Sequence, residues 1–341
     1  MKIAKITAEV KYIELKTPFK TALRETSHVE FVRVHVEDEN GLVGIGEAPA
    51  TKAITGEDIE IILNSIKSVQ DVFMGLTCQE SLTILHSKCN IGSSAASALD
   101  MAFISLHVKE QNQTLIEYFN TKDLSPLKTD VTISLNDSDM MIEDAKKAFK
   151  DDMSILKVKL ASDISHAIKV VKSISNELPL AEIIVDANQA WSLKDSLEFI
   201  EAMKNIKIEL IEQPVGADDL SALKIISDMS HIPILADESV FTLEDAKKVV
   251  ESKSAHMINI KLMKCGGVTK AIEILEYARE KEVTCMLGSM LEGPTSINIA
   301  LYLAMAYRDV IKYIDLDSPL LYKEASDELD FTYRGFKIIK K

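Results

Sequence analysis

Residues 155–188 read ILKVKLASDISHAIKVVKSISNELPLAEIIVDAN, and this stretch decides the fold. An apolar run with two embedded lysines, Ile155–Leu160, leads into a segment with apolar residues at helical spacing, and a second run follows at Ile183–Ala187. Strand, amphipathic helix, strand is the unit of a parallel sheet, whose strands cannot be joined by a tight turn. The unit recurs. Similar runs lie at Val131–Leu135, Ile208–Glu212, Ile234–Asp237, Met257–Leu262, Thr284–Leu287 and Lys312–Leu316. Residues near the eight strand ends are Ser134, Lys159, Asp186, Glu212, Asp237, Lys261, Gly288 and Asp315, spaced by 25, 27, 26, 25, 24, 27 and 27. Each interval fits one helix and two short loops. Eight strands with seven helices between them predict an α/β barrel, TIM-like and of the modified (β/α)7β kind, over residues 126–319. No GxGxxG follows its first strand, which argues against a dinucleotide-binding sheet.

Outward from the barrel the pattern changes. Residues 1–125 place strands at Lys5–Leu15, Val29–Asp38 and Gly41–Gly46 before helices near Glu57–Phe73, Glu80–Ser87 and Ser93–Lys109, an α+β capping domain. Residues 320–341 are too polar for another barrel unit and are expected to return to that domain. A length of 341 residues fits two domains. The net charge of −14 excludes a general nucleic-acid binder, which needs a basic face. No run reaches the roughly 18 apolar residues of a membrane span, and the charged N-terminus lacks a signal core. Cys78, Cys89, Cys265 and Cys285 form no CxxC pair, so reduced thiols and a cytoplasmic protein are expected.

In such barrels the reactive groups project from the C-terminal ends of the strands. An isolated acid there is ordinarily a solvated loop start or a helix cap. Asp186, Glu212 and Asp237 differ because they end three consecutive strands and converge, and crowded carboxylates repel unless a cation holds them. An all-oxygen set suits Mg²⁺. Lys159 and Lys261 lie on strands two and six, four apart in a ring of eight, so they face each other across the mouth. A buried lysine needs a partner. Structural pairing with the acids would supply one but leaves the opposed placement unexplained. Two opposed bases beside a held carboxylate permit 1,1-proton transfer: one removes the α-proton, an enediolate forms, and the other returns a proton on the opposite face. Lys157 shares the face of Lys159 by alternation. Asp315 and Asp317 on the last strand are two anions suited to a substrate ammonium group. None of the seven histidines falls at a strand end, which disfavours an imidazole-ligated hydrolase.

These motifs resemble the enolase superfamily, muconate-lactonizing subgroup. They are Lys157-Val158-Lys159, Val185-Asp186-Ala187-Asn188, Ile211-Glu212-Gln213-Pro214, Ala236-Asp237-Glu238-Ser239 and Asn259-Ile260-Lys261. A Lys base with Mg²⁺ stabilising an enediolate is that superfamily's established chemistry and is carried over from it. Asp315-Leu316-Asp317 resembles the dipeptide epimerases of the subgroup, the L-Ala-D/L-Glu type among them. The resemblance implies an Mg²⁺-dependent dipeptide epimerase acting on L-Ala-X, X being Glu or a broader set. Lys159 and Lys261 would be the acid/base pair, Asp186, Glu212 and Asp237 the metal ligands, and Asp315 and Asp317 the ammonium site. Thr132 and Lys157 would touch substrate, and Arg24, on an N-terminal loop over the mouth, would hold the Glu carboxylate. The segment Leu291–Ser296 departs from the Ala-Glu type. Barrels of this kind often assemble, so a homo-oligomer is compatible with the sequence.

Three other readings are distinguishable. An o-succinylbenzoate-synthase-type dehydration or a cycloisomerisation keeps the metal and lysines, but its substrates carry no ammonium for Asp315 and Asp317. A Schiff-base aldolase would use Lys261 and has no need of three metal acids. A binding protein would hold ligand without α-proton exchange.

Overall fold

The computed structural model describes residues 1–20 and 25–341, and Arg24 therefore lies outside the described residues. Eight strands form one parallel sheet in sequence order: Val131–Ile133, Ile155–Lys159, Glu182–Asp186, Leu210–Glu212, Ile234–Ala236, Met257–Lys261, Thr284–Gly288 and Ile311–Asp315. The ring closes where Asp130 N–H donates to the Ile314 carbonyl at 3.2 Å and Leu316 N–H donates to Thr129 Oγ1 at 3.2 Å. A helix of ten or more residues fills each of the seven intervals, and only a four-residue turn, Ser318–Leu321, follows the last strand. The barrel is the (β/α)7β form expected from the strand spacing.

Many acids near the strand ends are indeed helix caps. Asp137, Asp163 and Asp219 accept from the backbone N–H groups of Met140, His166 and Ala222. Asp195 and Asp245 complete capping boxes with Ser192 and Thr242. Asp186, Glu212 and Asp237 cap nothing and are buried.

The N-terminal unit is an antiparallel meander of Ile3–Lys20, Glu25–Asp38 and Val43–Pro49, backed by helices. The third strand starts two residues later than the sequence suggests, because Gly41 sits at φ +83° in the turn. The helix Ser93–Glu110 lies directly on that strand. A Cβ at Gly44 or Gly46 would come within 2.1 Å of the Ala102 carbonyl oxygen or 1.9 Å of that of Ala98, so only glycine allows the contact. The one-turn helices Lys52–Thr55 and Leu115–Tyr118 are too short for a periodic signal. Beyond the barrel, Tyr322 bridges to Leu15 and Glu328 pairs with Arg33, and a hairpin, Phe331–Arg334 with Lys337–Lys340, pairs with Leu127–Lys128.

Two buried carboxylates of the N-terminal unit dock it on the barrel. Glu47 Oε2 accepts from Thr295 N–H at 2.9 Å and Ser296 N–H at 3.2 Å, at the start of helix Pro294–Ala306. Asp100 Oδ1 accepts from Val268 N–H at 2.7 Å and Thr269 N–H at 3.3 Å, at the start of Val268–Glu280, while its Oδ2 meets His86 Nε2 at 2.8 Å. Both barrel helices thus have caps supplied from the other unit, where negative charge complements the helix dipole. Asp100→Ala leaves buried N–H groups without an acceptor and is expected to cost about 2 kcal/mol. Urea unfolding should show it, against about 1 kcal/mol for Asp163→Ala at an exposed cap.

Candidate active site

The barrel strands carry their charged ends into one cleft of about 590 Å³, counting its open mouth. Thr132, Lys159, Asn188, Asp237, Glu238, Lys261, Asp315 and Asp317 line its floor, and Phe19, Thr51, Ala53, Ile54, Met290 and Leu291 its walls. Lys159 and Lys261 end strands two and six and reach the cleft from opposite sides. Lys159 Nζ is 2.5 Å from Asp186 Oδ2, and Lys261 Nζ is 2.7 Å from Asp237 Oδ2. Gly288 makes room for the second lysine: a Cβ there would lie 3.0 Å from Lys261 Cε.

Lys157 lies beneath Lys159 and is wholly buried. Its Nζ is 2.6 Å from Asp315 Oδ2, 2.7 Å from Glu212 Oε2 and 3.3 Å from Asp186 Oδ2. It lies below the residues that line the cleft and ties three carboxylates together. Burial opposes its charge, but Asp315, Glu212 and Asp186 outweigh that and hold its pKa well above the ordinary amine. Lys261 follows the same balance, raised by Asp237 and Glu212 against burial.

The three acids are placed at adjacent strand ends, with Asp186 and Glu212 directly paired in register. They do not crowd one another as the sequence suggests. Among the described residues, the carboxylates whose oxygens lie mutually within 4.8 Å are Asp130, Asp315 and Asp317. The cause is local: Lys159 and Lys157 hold Asp186, while Lys261 and Lys264 hold Asp237. Burial would raise Asp237, but the lysine pair outweighs it and keeps this carboxyl well below the usual range; Asp186 is lowered in the same way. Glu212 is pushed up to about 7 by burial, then by Asp186. Glu238 reaches about 8 by burial, then by Asp237 and Asp186.

The donor set fits a hard divalent cation. All three acids are buried oxygen donors at the ends of adjacent strands. Lys157 approaches Glu212 Oε2 off the hydrogen-bonding direction, so that oxygen is left without a hydrogen-bond partner, as are Glu238 Oε2 and Asn188 Oδ1. Buried oxygens lacking donors are the groups a cation would satisfy.

On the far side, Asp317 Oδ2 accepts from Thr132 N–H at 2.8 Å, and burial and then Asp315 lift its pKa to about 6. Asp315 is held below the ordinary range by Lys157, against burial. Sequence reasoning missed four supporting groups. Asn259 Nδ2 donates to Glu212 Oε1 at 2.8 Å, and its position two before Lys261 was a usable signal. Lys264 Nζ reaches Asp237 Oδ1 at 2.6 Å, brought there by the turn Leu262–Cys265. Glu292, whose Oε1 accepts from Met290 N–H, backs the cleft wall and is raised to about 7 by burial. Asp130 precedes the first barrel strand and looks like part of a loop.

Residues 3–119 match the family described as mandelate racemase / muconate lactonizing enzyme, N-terminal domain, and residues 140–338 match the family described as enolase C-terminal domain-like. A curated relative from Sulfurimonas denitrificans, named L-amino acid-D/L-Glu epimerase, is 65% identical over 338 residues, covering 99% of each chain. The substrate-liganded L-Ala-D/L-Glu epimerase of Bacillus subtilis superimposes with a TM-score of 0.95 at 35% identity, over 100% of this chain and 97% of that one. The dipeptide epimerase of Enterococcus faecalis, in complex with Mg and L-Leu-L-Tyr, gives 0.92 at 30% identity over 100% and 97%.

Glu212 must be ionised to hold a cation, and its carboxyl titrates near 7. Below that pH a cation must expel a proton, so divalent-cation affinity should fall about tenfold per unit and level off above it. Calorimetric Mg²⁺ titrations across this range should show that slope together with proton release; a flat profile would contradict it.

Proposed function

The chain belongs to the enolase superfamily, in its mandelate racemase and muconate lactonizing enzyme branch, and is an epimerase; from this we propose that it inverts the α-carbon of the C-terminal residue in L-Ala-X dipeptides. The observation that carries the reading is the pair of lysines, Lys159 and Lys261, opposed across one cleft that also holds Asp315 and Asp317. Glu is the foremost X: Arg24 is assigned to its side-chain carboxylate, and the name of the 65%-identical relative supports Glu at the second position with tolerance at the first. We assign residues 1–125 to the capping domain, 126–319 to the catalytic barrel and 320–341 to a segment that returns to the cap.

Asp315 and Asp317 hold the dipeptide's ammonium group, with Thr132 beside them, and so fix which face of the α-carbon meets each lysine. Lys159 and Lys261 exchange one proton across that carbon, one as base and the other as acid, and exchange roles in the reverse direction. Asp186, Glu212 and Asp237 are assigned to Mg²⁺, which supplies positive charge that lowers the cost of the substrate anion. Lys157 does not move protons; it ties the ammonium-binding acids to the metal acids. Apolar walls from Phe19, Ile54, Met290 and Leu291 exclude water from the reacting centre. No described helix is long and apolar enough to cross a membrane. Four unpaired cysteines support a cytoplasmic setting.

Proton NMR of L-Ala-L-Glu with the protein and Mg²⁺ in D₂O should show loss of the Glu α-proton signal and growth of the second diastereomer. EDTA should silence the reaction. Lys159→Ala and Lys261→Ala should each lower epimerisation by about 10²–10⁴-fold, while each keeps exchange from one diastereomer only. Full epimerase activity in either folded variant would end the two-base reading.

A further inference from the structure

We propose that Asp130 is a positioning residue for substrate recognition: its buried carboxyl carries a proton, donates it in a hydrogen bond to Asp315, and keeps Asp315 aimed at the substrate ammonium. The inference rests on the dipeptide reading above and adds to it a group outside the cleft. One carboxylate oxygen each from Asp130, Asp315 and Asp317 lies within 4.8 Å of the other two, and all three residues are buried. Asp130 is 1% exposed and does not line the cleft, so it acts through its neighbours.

Three carboxylates this close cannot all be ionised beside a single ammonium. The partners decide where the proton goes. Asp315 accepts from Lys157 Nζ at 2.6 Å, and Asp317 accepts from Thr132 N–H at 2.8 Å. Both Asp130 oxygens are buried without any donor. An anion there would be a desolvated charge without a partner, whereas a protonated acid becomes a donor to Asp315. Burial, and then Asp315, raise its pKa well above the ordinary carboxyl range; Asp317 adds to this and Lys157 opposes it. The backbone fixes it in place, since Asp130 N–H donates to the Ile314 carbonyl at the barrel seam. A cation among the three acids would compete with Lys157, which already sits against Asp315.

Two measurements test this on the whole protein. Infrared difference spectra of wild type minus Asp130→Asn at mildly alkaline pH should contain a carboxylic-acid C=O band; its absence overturns the proposal whether or not any dipeptide reacts. In kinetics, Asp130→Ala should raise the dipeptide KM about tenfold or more with a smaller change in kcat. Asp130→Asn, whose amide still donates, should recover most of that loss. N-propionyl-L-glutamate lacks the ammonium, and its inhibition constant should be the same for wild type and Asp130→Ala. Equal damage by Asn and Ala would make Asp130 a charge rather than a donor, and an equal loss for the acyl inhibitor would make it merely structural. A wild-type protein silent on every dipeptide would instead overturn the proposed function and leave the infrared result to decide Asp130.

Discussion

Electroneutrality among the buried charges of the barrel mouth is the constraint on which this site depends. Lys157, Lys159, Lys261 and Lys264 are buried, and so are Asp130, Asp186, Glu212, Asp237, Glu238, Asp315 and Asp317. A buried ammonium is tolerable only beside a carboxylate, and a buried carboxylate only beside a cation or a proton. The acids outnumber the lysines by three, and four of them, Asp130, Glu212, Glu238 and Asp317, are raised toward the neutral form. A divalent cation held by Glu212 would compete with the proton that burial favours there.

The rest of the fold holds these charges in place. Parallel register sets Lys159 beside Asp186 and Asp186 beside Glu212, so each strand end presents its charge to the next. Lys157 and Asn259 tie the layer below to the ends above. Docking of the N-terminal unit through Glu47 and Asp100 brings Phe19, Thr51, Ala53 and Ile54 over the cleft and completes its wall. The docking groups are themselves buried, each set between a helix N-terminus and a basic side chain, Arg33 for Glu47 and His86 for Asp100.

Much of this was legible in the sequence because it is periodic. Intervals of 24–27 residues announce the strands, and position at a strand end separates Asp186, Glu212 and Asp237 from the many acids that cap helices. Opposition of Lys159 and Lys261 follows from counting strands around a ring. What escaped depends on distant partners or on irregular chain. Asp130 is one residue before a short strand, Lys264 is turned back by a single helical turn, and Glu47 and Asp100 meet partners some 170–250 residues away. The metal acids do not stand mutually as close as the sequence suggests: Asp186 and Asp237 are each paired with two lysines.

Division of labour between the two units explains why the chemistry is easier to infer than the preferred side chain. Every group assigned to proton transfer or cation binding is on a barrel strand or its immediate end, where register fixes it within the sheet. The wall around the substrate is shared: Phe19, Thr51, Ala53 and Ile54 come from the N-terminal unit, and Met290 and Leu291 from the barrel segment that departs from the Ala-Glu type. Substitutions in those walls change the shape and polarity of the cleft without disturbing any ion pair of the catalytic layer. A barrel of this kind can therefore keep its two lysines and change its dipeptide, because the apolar wall residues carry none of the ion pairs that hold those lysines.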